Sequence, residues 1–239
     1  MSDDRASASD DHWPADLRGV TETVVATRGP NDSWNHAALG VHARTPDPGD
    51  GASSERGTTE PDDGASSERG TTESTESDAV TAFTYGRTRT WRNFHARGGG
   101  VVQFTIDPVD FAEAALGIHE TDDAVLDSAD AWVRVEATPI DATDEDGTRV
   151  ETWRLDPVES EERRRVVPVV NRGHAAVVDA TVAASRIGVP GFDDDALRER
   201  LDRAVQVAAT CGGPREHEAI RRVAALADDW TPTPDLPGD

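Results

Sequence analysis

Residues Ala79 to Ile106 read AVTAFTYGRTRTWRNFHARGGGVVQFTI and contain no Asp or Glu, in a chain of 239 residues with a formal net charge of -23. Arg87, Arg89, Arg92 and Arg97 lie in this acid-free window, interleaved with Thr88, Thr90 and Asn93. Forked guanidinium donors, neutral donors for the remaining oxygen lone pairs and the absence of a competing carboxylate together suit a phosphate group. The same residues also fit a solvated turn whose guanidiniums pair with carboxylates supplied elsewhere, since 47 Asp and Glu are available.

Other chemistry is sparse. The seven histidines are scattered, and none pairs with another at helical metal-ligand spacing beside a carboxylate. His36 and His42 stand an even number of residues apart on one strand pattern, without a third ligand, so no metal is expected. No nucleophile elbow, HExxH or Walker sequence occurs. If the chain is an enzyme, a cofactor carries its chemistry. Arg172, Asp179 and Arg186 recur every seven residues and share a helical stripe, either as a salt-linked solvent face or as a polar row toward a ligand or second subunit.

Composition bounds the setting. All 24 positive side chains are Arg, against 47 acidic ones, and hydrophobic content is 36%. An Asp-rich, lysine-free chain resembles proteins of salt-accumulating archaea, so the global charge reports on solvent more than on partner. At about 1 M salt the Debye length is about 3 Å, and contact geometry rather than net charge then decides whether an anion binds. A single cysteine, Cys211, allows no disulfide framework and suits a reducing cytoplasm. The start of the chain lacks a basic, apolar targeting pattern and no stretch approaches a membrane span, so no membrane is an expected partner, and the acid-rich surroundings of the Arg cluster with only two aromatics argue against nucleic acid. RNA stays as a rival occupant of the Arg cluster, with Trp91 and Phe94 as stacking platforms.

The elements that must position these groups follow from pattern. Residues 1–15 are polar and acidic and read as a disordered leader. Leu17 to Gly29 alternates and is β-branched; Trp34 to Ala43 reads as its hairpin partner, where Asn35, Ala37, Ala38 and Gly40 let a flat ligand approach the backbone or let a neighbouring strand pack tightly. DGASSERGTTE occupies Asp50 to Glu60 and recurs from Asp63 to Glu73, which marks residues 45–77 as a low-complexity insertion. A strand from Ala79 to Tyr85, a turn or short helix over RTRTWRNF, a flexible connection at Gly98 to Gly100 and a buried strand from Val101 to Ile106 come next. Asp107 and Pro108 open a helix that Gly117 closes. Strands are expected over Ala131 to Ile140, Arg149 to Asp156 and Arg164 to Val170, the last held at an edge by Pro168. Helices are expected over Ala175 to Ile187, over Asp195 to Thr210, and from Pro214.

Four segments, VTETVVATR from Val20, NHAALGV from Asn35, GRTRTWRNF from Gly86 with VVQFTIDPVDF after it, and NRGHAAVVDATVAASRI from Asn171, resemble the archaeal domain of unknown function 447 family, a branch of the FMN-binding split-barrel flavoproteins. The resemblance implies an α+β fold: a mainly antiparallel six-stranded split β-barrel over residues 16–168, a helical C-terminal domain over 169–229 and a tail over 230–239. It implies FMN as cofactor, a homodimer with the flavin near the subunit interface, and a phosphate held by Arg87, Thr88, Arg89, Thr90, Arg92 and Asn93. The isoalloxazine ring would lie along Asn35, His36, Ala37, Ala38 and Gly40, with Gln103 among the cofactor contacts. Ala38 and Leu39 depart from the Pro and Met common in the family, and Trp91 and Phe94 from its Tyr and Leu. The implied function is an oxidoreductase using the flavin N5 for hydride transfer to an undefined substrate. The alternatives are a flavin carrier or sensor without turnover and a flavin-free homodimeric module.

Overall fold

The computed structural model describes residues 12–43, 79–145, 147–227 and 230. The expected insertion over 45–77, and most of the expected leader and tail, lie outside the described residues. Seven strands and five helices follow in the order β1 (Gly19–Arg28), β2 (Trp34–Ala43), β3 (Val80–Tyr85), α1 (Arg89–Arg97), β4 (Gly99–Phe104), α2 (Pro108–Leu116), β5 (His119–Thr121), β6 (Ala131–Glu145), β7 (Thr148–Glu162), α3 (Arg172–Ala184), α4 (Asp194–Cys211) and α5 (Pro214–Leu226). β1, β4, β6, β7, β3 and β2 neighbour one another in that order, all antiparallel, and β1 pairs with β2 to close a six-stranded barrel. β5 attaches to the outer end of β2 as a seventh strand. This is the α+β architecture of the FMN-binding split barrel.

Alternation fixes which side chains fill the barrel. Val25, Leu39, Val41, Ala82, Val102, Val133, Val135, Trp153 and Leu155 point inward into one cluster, and Phe94 of α1 joins them by packing on Trp153 with ring centroids 5.1 Å apart. Trp13 meets Phe104 edge-on at 6.5 Å. β1 is buried on both faces from Thr23 to Thr27, because its outward residue Val24 lies under Phe111 and Ala114 of α2. That helix has a second apolar side. Val109 and Ala112 enter a separate core with Val177, Leu201, Val205, Ile220 and Val223 of α3, α4 and α5. α2 is thus the hinge plate between barrel and helices. Its N-cap Asp107 accepts the amides of Val109 and Asp110 at 2.9 and 3.2 Å while Nη2 of Arg215 on α5 donates to Asp107 Oδ1 at 2.7 Å.

Four expectations change. Gly98 to Gly100 is no flexible connection: Gly98 ends α1 in the left-handed region at φ 73°, and Gly99 and Gly100 begin β4. A Cβ on Gly99 would stand 2.1 Å from the Val135 carbonyl oxygen, so the missing side chain lets two strands close on each other. Residues 164–170 form no strand; β7 itself runs to Glu162, and Val167, Val169 and Val170 beyond it face solvent. β6 and β7 are longer than their apolar cores, since two 15-residue strands pair over their whole length and their polar ends carry no burial signal. β5 is only three residues long and too short to show a period. Among the described residues no helix is long and apolar enough to cross a membrane.

Candidate functional site

The barrel is split along one edge of β2. β5 pairs with that edge at Trp34, Asn35 and His36, and β3 pairs with it at Val41 and His42, so Ala37 to Gly40 has no strand partner there among the described residues. Phe83, Thr84 and Tyr85 of β3 pair only with β7. β2 and β3 therefore part company beyond the Val41–Ala82 pair, which leaves the backbone edge of Ala37 to Gly40 open between them, while the Ala37 side chain packs against the barrel core and that of Ala38 against Val24, Phe111 and Ala114. At the far end of this gap α1 begins, and an ion pair between Arg89 and Glu120 of β5 bridges the opening.

α1 forms here because Thr88 caps it, its hydroxyl accepting the Trp91 amide at 3.2 Å, and because Gly98 stops it. Its first turn has no acidic residue, so the positive pole of the helix lies beside Arg87 and Arg89, and the nearest carboxylate is that of Glu120 from β5, paired with Arg89. The remaining sequence candidates divide by helical face. Arg87 stands over the Trp91 ring at 5.9 Å, and Arg92 is exposed. Thr90 and Asn93 are buried toward the barrel, and Asn93 Nδ2 donates to Thr27 Oγ1 at 2.9 Å. Arg97, at the opposite end of the helix, donates to the Gly29 carbonyl at 3.3 Å. The acid-free window thus yields one end cluster of Arg87, Thr88 and Arg89, with Thr90 and Asn93 as braces beneath it.

Glu151, which sequence reading passed over, fixes α1 in place. Only 3% exposed, it accepts Trp91 Nε1 at 2.7 Å, pairs with His95 Nε2 at 2.9 Å and takes Arg149 Nε at 3.3 Å. Burial pushes its carboxyl up, but the Trp91 hydrogen bond, the His95 charge and Arg149 outweigh this and hold it below the ordinary value. The available signal was an acid between the buried Val150 and Trp153 in a strand otherwise alternating inward and outward.

His36 and Gln103 lie on the outer face of the barrel, both fully buried. The Thr121 hydroxyl donates to the Asp123 carbonyl at 2.6 Å, so it accepts from His36 Nε2 at 2.7 Å and fixes the proton there. His36 Nδ1 is left to accept from Gln103 Nε2 at 3.4 Å. Gln103 cannot turn round, because Nε2 also donates to the Ala124 carbonyl and Oε1 accepts the Leu126 amide. Burial, with His119 adding to it, pushes the His36 pKa down to about 4. The outward face of β2 at His36 is therefore a neutral, fully committed brace between β2, β4 and β5. Asn35 is buried as well.

The polar row on α3 is broken into separate contacts. Asp179 pairs with Arg200 of α4 at 2.9 Å, Arg186 stacks over Phe192 at 5.3 Å, and Arg172 joins Arg200 and Arg203 at a shallow groove of about 370 Å³ floored by Ala176 and Ala204.

A split antiparallel barrel with a capped helix at the mouth of the split and a helical bundle docked on α2 defines the class. The family follows from two matches: residues 71–164 match the model "Protein of unknown function (DUF447) N-terminal domain" and residues 171–224 match "Protein of unknown function (DUF447)", and the chain belongs to this family. Among solved structures it is similar to an FMN-bound protein of the DUF447 family from Methanosarcina mazei, at 20% identity and a TM-score of 0.64, covering 88% of this chain and 96% of that one. It also aligns with nitrilotriacetate monooxygenase component B from Mycobacterium thermoresistibile, at 16% identity and a TM-score of 0.35 over 63% of this chain and 72% of that one. An FMN-binding protein from Thermus thermophilus aligns at 14% identity and a TM-score of 0.34, over 68% and 82% of the two chains. The Methanosarcina likeness shows the shared fold.

Proposed function

We propose that this chain binds FMN, with the phosphate at the N-terminus of α1 and the isoalloxazine ring along Ala37 to Gly40 of β2. One observation carries the reading: the Arg-flanked start of α1, with no acid in its first turn, lies at the end of the Ala37 to Gly40 stretch of β2, which is paired with β1 on one edge and has no strand on the other among the described residues. The FMN-bound state of a family member with the same fold supports it. Arg87, Arg89 and the Thr88 region would supply charge-assisted donors to the phosphate. Thr90 and Asn93 would act beneath them by holding α1 against Thr27. Ala37, Ala38 and Gly40 would leave room for a flat ring and offer backbone groups to its polar edge.

Bound flavin supplies reversible two-electron chemistry at N5, and the protein's part is to hold and orient it. An oxidoreductase acting on a small substrate is the activity we infer. The carrier or sensor reading differs in one observable: its reduced flavin would not be reoxidised by any physiological acceptor.

The test is an absorption spectrum of protein loaded with FMN and desalted in molar salt. Retained, shifted flavin bands are expected. In an Arg87→Ala/Arg89→Ala double variant the affinity should fall by about ten- to a hundredfold, since a hydrogen bond to a charged group is worth roughly 1.5–3 kcal/mol. Folded protein that retains no FMN would end the proposal.

A further inference from the structure

The ion pair across the mouth of the split joins a fixed backbone to a loosely held side chain. β5 puts Glu120 opposite Asn35 of β2, and its carboxylate reaches Nη1 of Arg89, the first residue of α1. The backbone that carries it is anchored: the Thr121 hydroxyl accepts from His36 at 2.7 Å, His119 Nδ1 pairs with Glu113 at 3.3 Å, and all three residues of β5 pair with β2. The Glu120 side chain is not. It is 36% exposed, Arg89 is 40% exposed, and its second oxygen takes Asn31 Nδ2 at a long 3.4 Å. Its hold on Arg89 is therefore a surface pair of the weak, exchangeable kind.

That carboxylate stands where a ligand's anion would. Arg87 lies over the Trp91 ring, the first turn of α1 has no acid of its own, and the negative charge at its opening arginines comes from Glu120 on another element. Carboxylate and phosphate ask for the same forked donor, but a phosphate brings more charge and three acceptor oxygens, so at contact it outcompetes a single exposed carboxylate. Resting on the FMN reading above, we infer that Glu120 is a built-in competitor for the flavin phosphate. It holds Arg89 in the free protein, and the arriving phosphate takes Arg89 over while the Glu120 side chain swings into solvent and the β5 backbone stays in place. The consequence is a flavin held less tightly than the arginines alone would hold it. The competition acts on the phosphate and leaves the ring's contacts untouched.

The experiment titrates FMN and, separately, riboflavin into the full chain, followed by flavin fluorescence, in molar salt and at the lowest salt that keeps the fold. It compares the wild type, Glu120→Gln, and Glu120→Gln in an Arg89→Gln background. Gln keeps the size of the side chain and an acceptor for Asn31, and circular dichroism checks the fold; should Gln disturb it, Glu120→Ala replaces it. Glu120→Gln is expected to bind FMN about two- to fivefold more tightly, the worth of an exposed ion pair, with the gain widening as salt is lowered. Riboflavin affinity should not change, and the gain should vanish in the Arg89→Gln background. FMN binding that is unchanged or weaker in Glu120→Gln overturns the inference. So does an equal gain for riboflavin, or a gain that persists without Arg89, since either marks a general effect on β5. If the wild type and Glu120→Gln alike fail to bind FMN, the flavin reading falls and this inference with it, whereas wild-type binding without a Glu120→Gln gain sinks the inference alone.

Discussion

His36 makes the sharpest residue-scale prediction because its protonation state is fixed twice, by Thr121 accepting at Nε2 and by Gln103 donating to Nδ1. A folded pKa of about 4 against an unfolded value of 6.5 means that, between those limits, the unfolded chain takes up a proton the folded chain refuses. The stabilisation is complete above pH 6.5 and is lost as the pH falls toward 4, amounting to about 3 kcal/mol at most. Urea midpoints measured across that window should decline for the wild type and stay nearly level for His36→Gln. Glu151 calls for a different measurement. Glu151→Leu leaves the indole N–H of Trp91 and the His95 ring without their buried acceptor, at a cost of about 1–3 kcal/mol. If Glu151 positions α1, the variant should also bind FMN more weakly although it is not among the residues expected to touch the ligand. Isothermal titration in molar salt would read this.

At the scale of elements, the glycine run and α2 carry the argument. Gly99→Ala drives a methyl into the Val135 carbonyl, and forcing β4 away from β6 should cost about 1–3 kcal/mol in thermal unfolding. Asp107→Ala removes both a helix cap and the partner of Arg215, so a loss of about 1–2 kcal/mol is expected, with α2 and α5 showing faster amide exchange than the barrel strands. The elements most legible in the sequence were those whose signal is local. Asp107 with Pro108 announced α2, and the apolar spacing of Leu197, Leu201, Ala204, Val205 and Ala208 announced α4. The valines after Arg165 read as a strand because β-branching registers propensity, whereas pairing requires a neighbour that composition cannot supply. The candidate site divided in the same way. Residue types marked the Arg and Thr cluster, but which members face outward depends on the packing of Asn93 on Thr27 and of Phe94 on Trp153, contacts between segments distant in sequence. Glu151 and the His36–Gln103 pair act through such distant contacts too, which is why their roles emerge only once β2, β4, β5 and β7 are side by side.

For the molecule as a whole, net charge dominates. With 47 acidic side chains against 24 Arg, the folded state concentrates repulsion that the unfolded chain relieves by expanding. Raising salt from low to molar concentration should therefore raise the melting temperature, and sulfate should do more than chloride because it also strengthens apolar burial. Scanning calorimetry across the two salts checks both parts. A melting temperature indifferent to salt would mean that the surface arginine pairs already balance the field.

The long β6–β7 hairpin has a further consequence, in the order of folding. Its fifteen-residue strands meet across a tight turn at Gly147, with φ at 81° and its amide held by the Asp144 carboxylate at 3.1 Å, so most of its pairing is between near neighbours in the chain. The seam between β1 and β4, by contrast, joins Val24 to Gln103 and Val25 to Val102 across most of the barrel's sequence. Contacts that close short loops form first. The hairpin is thus the expected folding nucleus and the β1–β4 seam the last gap to shut. Gly147→Val should slow refolding in stopped-flow experiments, whereas Val102→Ala should act mainly by speeding unfolding.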